Sequence, residues 1–385
     1  MHYTFEDRGE RAQALAGVRR VVVKVGTRLL MDVPGATKGE RVQQLVDEIA
    51  VLRQQGFEVI LVSSGAVGAG LAVLGTPRRP RDVPGLQAHA AVGQCRLMYL
   101  YESACARHGF HCGQLLLSAD DLLRSRERHL NVTNCLGELL RNGVLPVINE
   151  NDSVSVDEIR FGDNDTLAAL VATMLRADLT ILLTTVDGMY LPAEDGSRPR
   201  MSVVSEVSDD TFSMAGGTDG NPFSVGGMKT KIRAAEIVTK AGEPLWIADG
   251  TDFAVLRRVL AGGDTGTLFT PRRHERMHSH KRFLAFFSDP TGSILVDAGA
   301  ARAVGQQGRS LLPGGVVGHE GSFRRGDTVR ILGPEGRELA RGTTNYSSDE
   351  IGRIRGVKTS EISALLGEDA SFDEVVHRDY LVVTQ

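Results

Sequence analysis

Residues 20–25 read Arg-Val-Val-Val-Lys-Val, a β-branched run that one lysine interrupts, and Gly26 and Thr27 follow it directly. Between residues 42 and 52, apolar side chains recur at helical spacing, and a second apolar run occupies residues 57–62. Strands that are apolar throughout and alternate with helices are typical of a parallel sheet covered on both faces. This strand–helix–strand unit therefore predicts an α/β fold.

The same alternation continues to about residue 270. Further strands are predicted at residues 111–117, 144–149, 179–184 and 244–248, and further helices at residues 86–107, 127–141, 167–175 and 228–240. A polar stretch follows, and then short strands and turns, with strands predicted at residues 283–287, 292–296 and 327–332. We expect a mostly parallel sheet sandwiched between helices, and a small β-rich domain. The expected boundaries are an N-terminal extension at 1–18, the α/β domain at 19–270, a linker at 271–281 and the β-rich domain at 282–385.

Composition excludes several classes of protein. Of the 385 residues, 42% are hydrophobic and 24% are charged, which is typical of a soluble globular chain. The net charge is −4, and residues 272–385 carry 16 basic and 15 acidic residues, so neither a membrane nor RNA is an expected partner. The first 15 residues lack the apolar segment of a signal peptide, and the four cysteines show no CxxC spacing. We therefore expect a cytoplasmic protein with reduced thiols.

Four polar clusters fall at or near the predicted carboxyl ends of strands, where parallel sheets bind ligands. They are residues 24–27 (KVGT), residues 63–70 (SSGAVGAG), the pair 149–152 (NEND) and 162–165 (GDND), and residues 226–231 (GGMKTK). Lysine and glycine at these positions suit a phosphate group, because an ammonium and backbone N–H groups can converge on it. Lysines in the first turn of a helix oppose its dipole, which points to an anionic ligand.

Each cluster also has a purely structural interpretation. Lys24 can reach solvent from a strand end, and Ser64 can cap a glycine-rich turn. Asp and Asn are common turn and cap residues, and the lysines of residues 226–231 can belong to a solvated helix end. None of the ten histidines falls in a cluster. A carboxylate acceptor suits that pattern, since it is already ionised at pH 7 and needs no general base.

The ordered motifs resemble those of the amino acid kinase family. They are VVVKVGT (21–27), VSSGAVGAG (62–70), AAVGQ (90–94), RERHLN (126–131), PVINEND (146–152), GDNDTLAA (162–169) and GGMKTK (226–231). The tail, with SLLPGGVV (310–317) and FRRGDTVRI (323–331), resembles a PUA domain. The resemblance implies the amino acid kinase fold followed by a PUA domain. It is strongest to family members that phosphorylate the side-chain carboxylate of L-glutamate, the first step of proline biosynthesis.

The resemblance also implies roles for individual residues. Lys24 and Lys231 would stabilise charge on the transferred phosphoryl group, and Asp163 would orient both lysines. Glutamate would be held by Ser64, Asp152 and Asn164, with Asp165 a candidate for its α-amino group. The implied ATP-binding residues are Lys24, Thr184, Thr185, Val225, Gly226, Gly227, Met228, Lys229, Thr230 and Lys231. Thr185 and Val225 depart from the family's common pattern, in which these positions hold Asp and Thr.

The resemblance further implies ATP as phosphoryl donor, with Mg²⁺ carried by ATP rather than by the protein. It implies feedback inhibition by proline through the segment between Asp152 and Asp163. It also implies a homo-oligomer, either dimer or tetramer, and a possible handoff of the unstable acyl phosphate to glutamyl-phosphate reductase. Two alternatives stay open: a kinase for another amino-acid carboxylate, such as aspartate or acetylglutamate, and an RNA-binding protein acting through the PUA-like tail.

Overall fold

A computed structural model describes residues 3–4, 9–31, 37–118, 121–122, 126–154, 164–191, 197–214, 227–271, 277–367 and 372–384. Near residue 276 the chain divides into two compact units.

The first unit is built on one large sheet. Its described strands are β1 (Tyr3–Thr4), β2 (Arg20–Val25), β3 (Glu58–Ser63), β4 (Cys112–Leu117), β5 (Leu145–Glu150), β6 (Leu179–Thr184), β7 (Val203–Val204), β8 (Leu245–Asp249) and β9 (Thr267–Phe269). Its described helices are α1 (Glu10–Leu15), α2 (Thr27–Met31), α3 (Lys38–Gln54), α4 (Ala66–Val73), α5 (Val83–Ala106), α6 (Arg126–Arg141), α7 (Asn164–Leu175), α8 (Asp209–Met214), α9 (Met228–Lys240) and α10 (Val255–Leu260).

The strands lie in the order β1-β7-β9-β8-β6-β2-β3-β5-β4. Every pairing from β8 through β6, β2, β3 and β5 to β4 is parallel, so the predicted α/β class is confirmed. Strand β2 lies at the centre, with Val21, Val22 and Val23 fully buried, as a strand covered on both faces requires. Helix α3 contributes a buried apolar stripe to the same core at Val42, Leu45, Val46, Ile49 and Leu52.

Helices α4 and α5 pack against each other through glycine. A Cβ atom on Gly93 would lie 1.8 Å from the carbonyl oxygen of Ala66 and 2.4 Å from the backbone nitrogen of Gly70. A Cβ atom on Gly70 would lie 1.9 Å from the carbonyl oxygen of His89. The two backbones therefore approach more closely than a larger side chain would permit. This contact fixes the position of helix α5 relative to helix α4, which follows β3.

The N-terminal extension is part of the first unit. Strand β1 pairs with β7, and the Arg11 side chain of helix α1 is completely buried. Its guanidinium lies 5.1 Å from the centroid of the Trp246 ring and donates to Ser202 Oγ at 3.0 Å and to the Gly263 carbonyl. A buried arginine needs such partners to offset its desolvation, so this side chain pins the start of the chain to the sheet.

The second unit contains a five-stranded sheet in the order β11-β10-β12-β13-β14. These strands are β10 (Gly292–Val296), β11 (Val316–Glu320), β12 (Thr328–Leu332), β13 (Glu338–Thr343) and β14 (Leu381–Val383). The described helices are α11 (Ser279–Arg282), a π-helical segment (Phe283–Phe287), α12 (Ala298–Gly305), α13 (Ser348–Ile354) and α14 (Ile362–Leu366), with short 3₁₀ turns at Pro313–Gly315, Thr359–Glu361 and Arg378–Tyr380. The predicted small β-rich domain is therefore confirmed.

One predicted strand is wrong. Residues Phe283–Phe287 form a π-helical segment that continues α11. The helical turn buries Leu284 and Phe287, three residues apart, and the Ser288 hydroxyl donates to the Leu284 carbonyl at 2.8 Å. A five-residue apolar run fits a buried strand and a buried helix equally well, because its periodicity cannot distinguish them.

The close contact between α4 and α5 gives a stability prediction. Gly93→Ala should lower the free energy of unfolding by about 2 kcal/mol or more, because the new methyl group overlaps the Ala66 carbonyl. Gly137→Ala is the matched control, since in helix α6 the nearest neighbour of the added Cβ is Arg141 Nη2 at 3.9 Å. The control should be neutral or slightly stabilising. Thermal unfolding measures both, and equal melting temperatures for the two variants would contradict the packing argument.

Candidate active site

The parallel strands β6, β2, β3 and β5 are neighbours in the sheet and end at the same edge. Lys24 lies one residue before the end of β2, and Ser63, Glu150 and Thr184 end the other three strands. The loops and helix starts that follow these strands therefore lie together. Ligand sites of open α/β sheets form at this edge.

A buried carboxylate joins two lysines at this edge. Lys24 Nζ lies 2.7 Å from Asp165 Oδ1, and Lys231 Nζ lies 3.0 Å from Asp165 Oδ2. The Asp165 side chain is fully buried, whereas Lys24 and Lys231 retain 5% and 6% of their exposure. Two ammonium groups from remote segments are therefore held on one carboxylate. Cations brought together in a buried site suit an anion such as a phosphoryl group.

Asp165 bridges the two lysines, a role that the motifs did not suggest for it. Asp163, which was expected to orient the lysines, lies outside the described residues, and Asp165 was a candidate for the substrate α-amino group. In the structure both Asp165 oxygens face lysine ammonium groups, and Oδ2 also accepts from Thr230 Oγ1 at 2.9 Å. Asp165 therefore bridges the lysines, and its expected contact with an α-amino group and the role of Asp163 stay predictions. Helix α7 begins at Asn164, and this start turns its second residue toward β2 and α9.

The structure of the first turn of helix α9 explains how a lysine is tolerated there. Gly227 caps the helix without a side-chain hydrogen bond, and Thr230 and Lys231 point toward helix α7, which packs against α9. A cation at this end opposes the helix dipole. An anionic ligand was expected to compensate this charge, and in the structure Asp165 supplies negative charge there. The Thr230 hydroxyl also lies 2.9 Å from the Gly227 carbonyl, which ties the cap to the same cluster.

A second cluster, made of amides and hydroxyls, adjoins the charged one. Asn164 Nδ2 lies 2.7 Å from Ser64 Oγ, 2.9 Å from Asn149 Oδ1 and 3.2 Å from the Ser63 carbonyl oxygen. Asn149 Nδ2 donates to Gln94 Oε1 at 2.9 Å. Ser64 therefore does not cap helix α4; Gly65 is the cap residue, at a φ of 111° that favours glycine.

Helix α5 contributes two side chains that lie next to this cluster. The Tyr101 hydroxyl lies 2.8 Å from Ser63 Oγ, and complete burial raises the pKa of Tyr101. The phenol therefore stays neutral at physiological pH and can serve only as a hydrogen-bonding group. Gln94 lies seven residues earlier on the same buried face as Tyr101. Helix α5 thus places Tyr101 beside the end of β3 and Gln94 near the end of β5.

The other expected site residues are placed as follows. Asp152 lies half-buried in the turn that follows β5, and Thr184 ends β6 with its carbonyl accepting from the Gly250 N–H at 2.8 Å. Thr185 is exposed just beyond it, Lys229 is exposed in the first turn of α9, and Gly227 and Met228 start that helix. Val225 and Gly226, like Asp163, lie outside the described residues. The substrate and nucleotide roles of these residues stay predictions.

Sequence reasoning assigned no role to Gln94 or Asn149, although both stand in quoted motifs. The available signal was the position of Gln94 on helix α5. Its buried face includes Ala90, Leu97 and Tyr101, so a glutamine there interrupts an apolar stripe. A buried amide requires hydrogen-bond partners, and Asn149 is one of them.

Comparison with known proteins identifies both units. The model of the amino acid kinase family matches residues 19–249, and that of the PUA domain matches residues 292–366. The chain belongs to the amino acid kinase family.

Three curated relatives are similar over nearly their whole length, and each is named glutamate 5-kinase. The protein of Moorella thermoacetica is 46% identical over 96% of this chain and 97% of its own. That of Trichlorobacter lovleyi is 47% identical over 97% and 99%. That of Caldanaerobacter subterraneus is 46% identical over 95% and 98%.

Two kinds of structural feature are absent from the described residues. No helix there has both the length and the apolar character needed to cross a bilayer. No group of three or more His, Cys, Asp or Glu side chains in the same part of the chain is arranged to hold a metal ion.

The bridge between the lysines gives a second prediction. Asp165→Asn leaves two buried ammonium groups without their shared counter-charge, so the free energy of unfolding should fall by about 3 kcal/mol. The control is Asp252→Asn, which breaks an ion pair with Arg258 in which both side chains are at least half exposed, and should cost about 1 kcal/mol or less. Urea denaturation of both variants gives the comparison. Similar losses would show that Asp165 does not hold the lysines together.

Proposed function

We propose that this protein transfers the γ-phosphoryl group of ATP to the side-chain carboxylate of L-glutamate, as in the first step of proline biosynthesis. The observation that carries the proposal is that the buried Asp165 holds the ammonium groups of Lys24 and Lys231, which come from remote segments, close together. Charge builds up on the oxygens of a transferred phosphoryl group, and fixed cations in a water-poor site stabilise it. The names of the relatives support glutamate as the acceptor.

The chemistry of the acceptor agrees with the site. A substrate carboxylate attacks without losing a proton, so no general base is required. Asp165 is unsuited to act as a base, because both of its oxygens face ammonium groups. Its role is to hold Lys24 and Lys231 at a fixed separation, so that both reach the same phosphoryl group. Positioning and charge stabilisation then supply most of the rate enhancement.

The residues present fit ATP with Mg²⁺. The ammonium groups of Lys24 and Lys231 suit the terminal phosphates, and the glycine-capped start of helix α9 presents backbone N–H groups to an anion. When bound with ATP, Mg²⁺ would neutralise further phosphate charge. The chain's own contribution is to orient Lys24 and Lys231 and to present the start of α9.

The amide cluster is the proposed glutamate site. Asn164 and Ser64 adjoin the charged cluster, because Asn164 and Asp165 are successive residues of helix α7. Amide and hydroxyl groups can pair with both an α-carboxylate and an α-ammonium group. Asp152, in the turn after β5, would add negative charge for the ammonium group.

Three finer proposals rest on the family resemblance. Proline acts as feedback inhibitor, the protein assembles as a homo-oligomer, and the acyl phosphate is handed to glutamyl-phosphate reductase. The sensor segment expected for proline lies largely outside the described residues. A cytoplasmic location is also proposed, and the free state of all four cysteines supports a reducing compartment.

The decisive assay measures ATP consumption with glutamate and traps the acyl phosphate with hydroxylamine. We expect hydroxamate to form with L-glutamate and much less with aspartate or acetylglutamate at equal concentration. Hydroxamate formed mainly from one of the other acids would move the assignment to that substrate. ATP consumption without any hydroxamate would contradict a carboxylate acceptor.

The same assay tests proline. Millimolar proline should lower the rate of hydroxamate formation, while the same concentration of glycine serves as the control. A rate that is indifferent to proline removes the feedback proposal and leaves the kinase proposal intact.

Lys231→Ala tests the mechanism. Loss of one ammonium group at the phosphoryl site should lower kcat by at least about 100-fold, since removing a single stabilising group at a transition state costs roughly that much. Lys240→Ala is the control, because it removes a lysine that pairs with Glu236 at the far end of the same helix. Near-normal kcat in Lys231→Ala would show that its role is misassigned. Circular dichroism checks that both variants fold.

The alternative of RNA binding gains no support from the second unit. Arg325 pairs with Glu350 and Arg330 pairs with Glu338, so part of the positive charge is neutralised locally. The hydrogen bond from Arg325 lowers the pKa of Glu350 to about 2, so that pair is ionised at neutral pH. Phosphate binding requires available cations, and these two arginines are already engaged.

A further inference from the structure

Two backbone groups determine which way the side-chain amides of the cluster point. The Glu150 N–H donates to Asn149 Oδ1 at 2.9 Å, so this oxygen is an acceptor and Asn149 Nδ2 must face Gln94. The Ser63 carbonyl accepts from Asn164 Nδ2 at 3.2 Å, so the Asn164 amide nitrogen must face the cluster. Because a backbone N–H cannot accept and a carbonyl cannot donate, the orientations of all three side-chain amides follow.

Among the described residues, these orientations leave one amide atom without a hydrogen-bond partner at each end of the cluster. Within the part of the chain that the structure describes, Asn164 Oδ1 and Gln94 Nε2 are buried atoms that have no hydrogen-bond partner. Asn164 Nδ2 has two hydrogens for three acceptors, namely Ser63 O, Ser64 Oγ and Asn149 Oδ1. One of the three acceptors, such as the Ser64 hydroxyl, can therefore give up its hydrogen bond with Asn164 and bind a ligand instead at little cost. Asn164 thus presents an unused acceptor beside an exchangeable hydroxyl.

We propose that Gln94 is a positioning residue for the amino-acid substrate. Gln94 Oε1 holds Asn149 Nδ2, and Asn149 Oδ1 holds Asn164 Nδ2, so this chain helps to keep Asn164 Oδ1 at one position. That oxygen is an acceptor suited to the α-ammonium group of an amino acid. Without Gln94, Asn149 loses a partner for its amide hydrogens and can rotate, and Asn164 Nδ2 is then held in place only by the Ser63 carbonyl and the Ser64 hydroxyl. The inference rests on the proposed function, because it concerns the acceptor side of that reaction.

The backbone around Gln94 is rigid enough for this role. Only 8% of the Gln94 side chain is exposed, and its neighbour Gly93 packs directly against the backbone of Ala66 and Gly70. Helix α5 therefore cannot shift to compensate for a change at residue 94. The effect of a substitution should pass through the amides rather than through a movement of the helix.

The test compares the kinetics of Gln94→Met with those of the unchanged chain. Methionine fills a similar volume but offers only a weak sulfur acceptor to Asn149. The KM for glutamate should rise by about tenfold or more, whereas the KM for ATP and kcat should change by less than about threefold. In an Asn149→Ala background, Gln94→Met should change the KM for glutamate by less than about twofold, because the residue through which Gln94 acts is already missing.

Two further variants make the outcome decisive. Gln43→Met is the matched control, since Gln43 donates to Asp47 at 2.6 Å on helix α3, and it should leave all constants unchanged. Gln94→Glu keeps an oxygen at the position of Oε1, so its KM for glutamate should rise less than that of Gln94→Met. If Gln94→Met fails to fold, Gln94→Glu is compared with the unchanged chain in its place. An equal rise in both variants would overturn the positioning role.

The remaining outcomes separate this inference from the proposed function. If the unchanged chain forms hydroxamate with glutamate and Gln94→Met has a normal KM, only the role of Gln94 is wrong. Equal rises in the KM for glutamate and for ATP would indicate a general loosening of the fold and would also contradict it. If the unchanged chain forms no hydroxamate with glutamate, the proposed function fails, and the role of Gln94 fails with it.

Discussion

One buried carboxylate holds two positive charges in the same small volume, and the rest of the site is organised around it. Lys24, Asp165 and Lys231 come from a strand and two helices that are far apart in sequence. Without Asp165, the two ammonium groups would repel each other in a region with little water to screen them. The bridge forms only when β2, α7 and α9 are all in place. Folding and the assembly of the charged site are therefore a single event.

The first turn of helix α7 divides the site in two. Asp165 faces the lysines, and its neighbour Asn164 faces Ser64 and Asn149. Successive residues of a helix point about 100° apart, so two adjacent side chains can serve two different ligand groups. The proposed phosphoryl side and the proposed acceptor side are consequently held at a fixed spacing by one backbone. This spacing is what a direct transfer between two bound substrates requires.

The sequence was most informative where pattern and burial agree. The predicted strands at residues 20–25 and 179–184 and the helix at residues 228–240 have the observed bounds. The role of Asp165 was harder to predict, since residues 162–165 contain two aspartates, and only the observed start of α7 at Asn164 shows that Asp165 faces the lysines. The support from Gln94 was also hidden, because a hydrogen bond between residues 55 apart leaves no local pattern.

The start of the chain bears on where this enzyme can be cut. The family match begins at residue 19, yet Arg11 stacks on Trp246 and occupies the carbonyls of Gly263 and Gly266 from outside that range. A shortened chain that began at the family boundary would uncover the indole ring and leave those oxygens to water. It would also strip strand β1 from the sheet edge and expose the unpaired backbone of β7. The family match starts after the folded body does, so its boundary is a poor guide to trimming the chain.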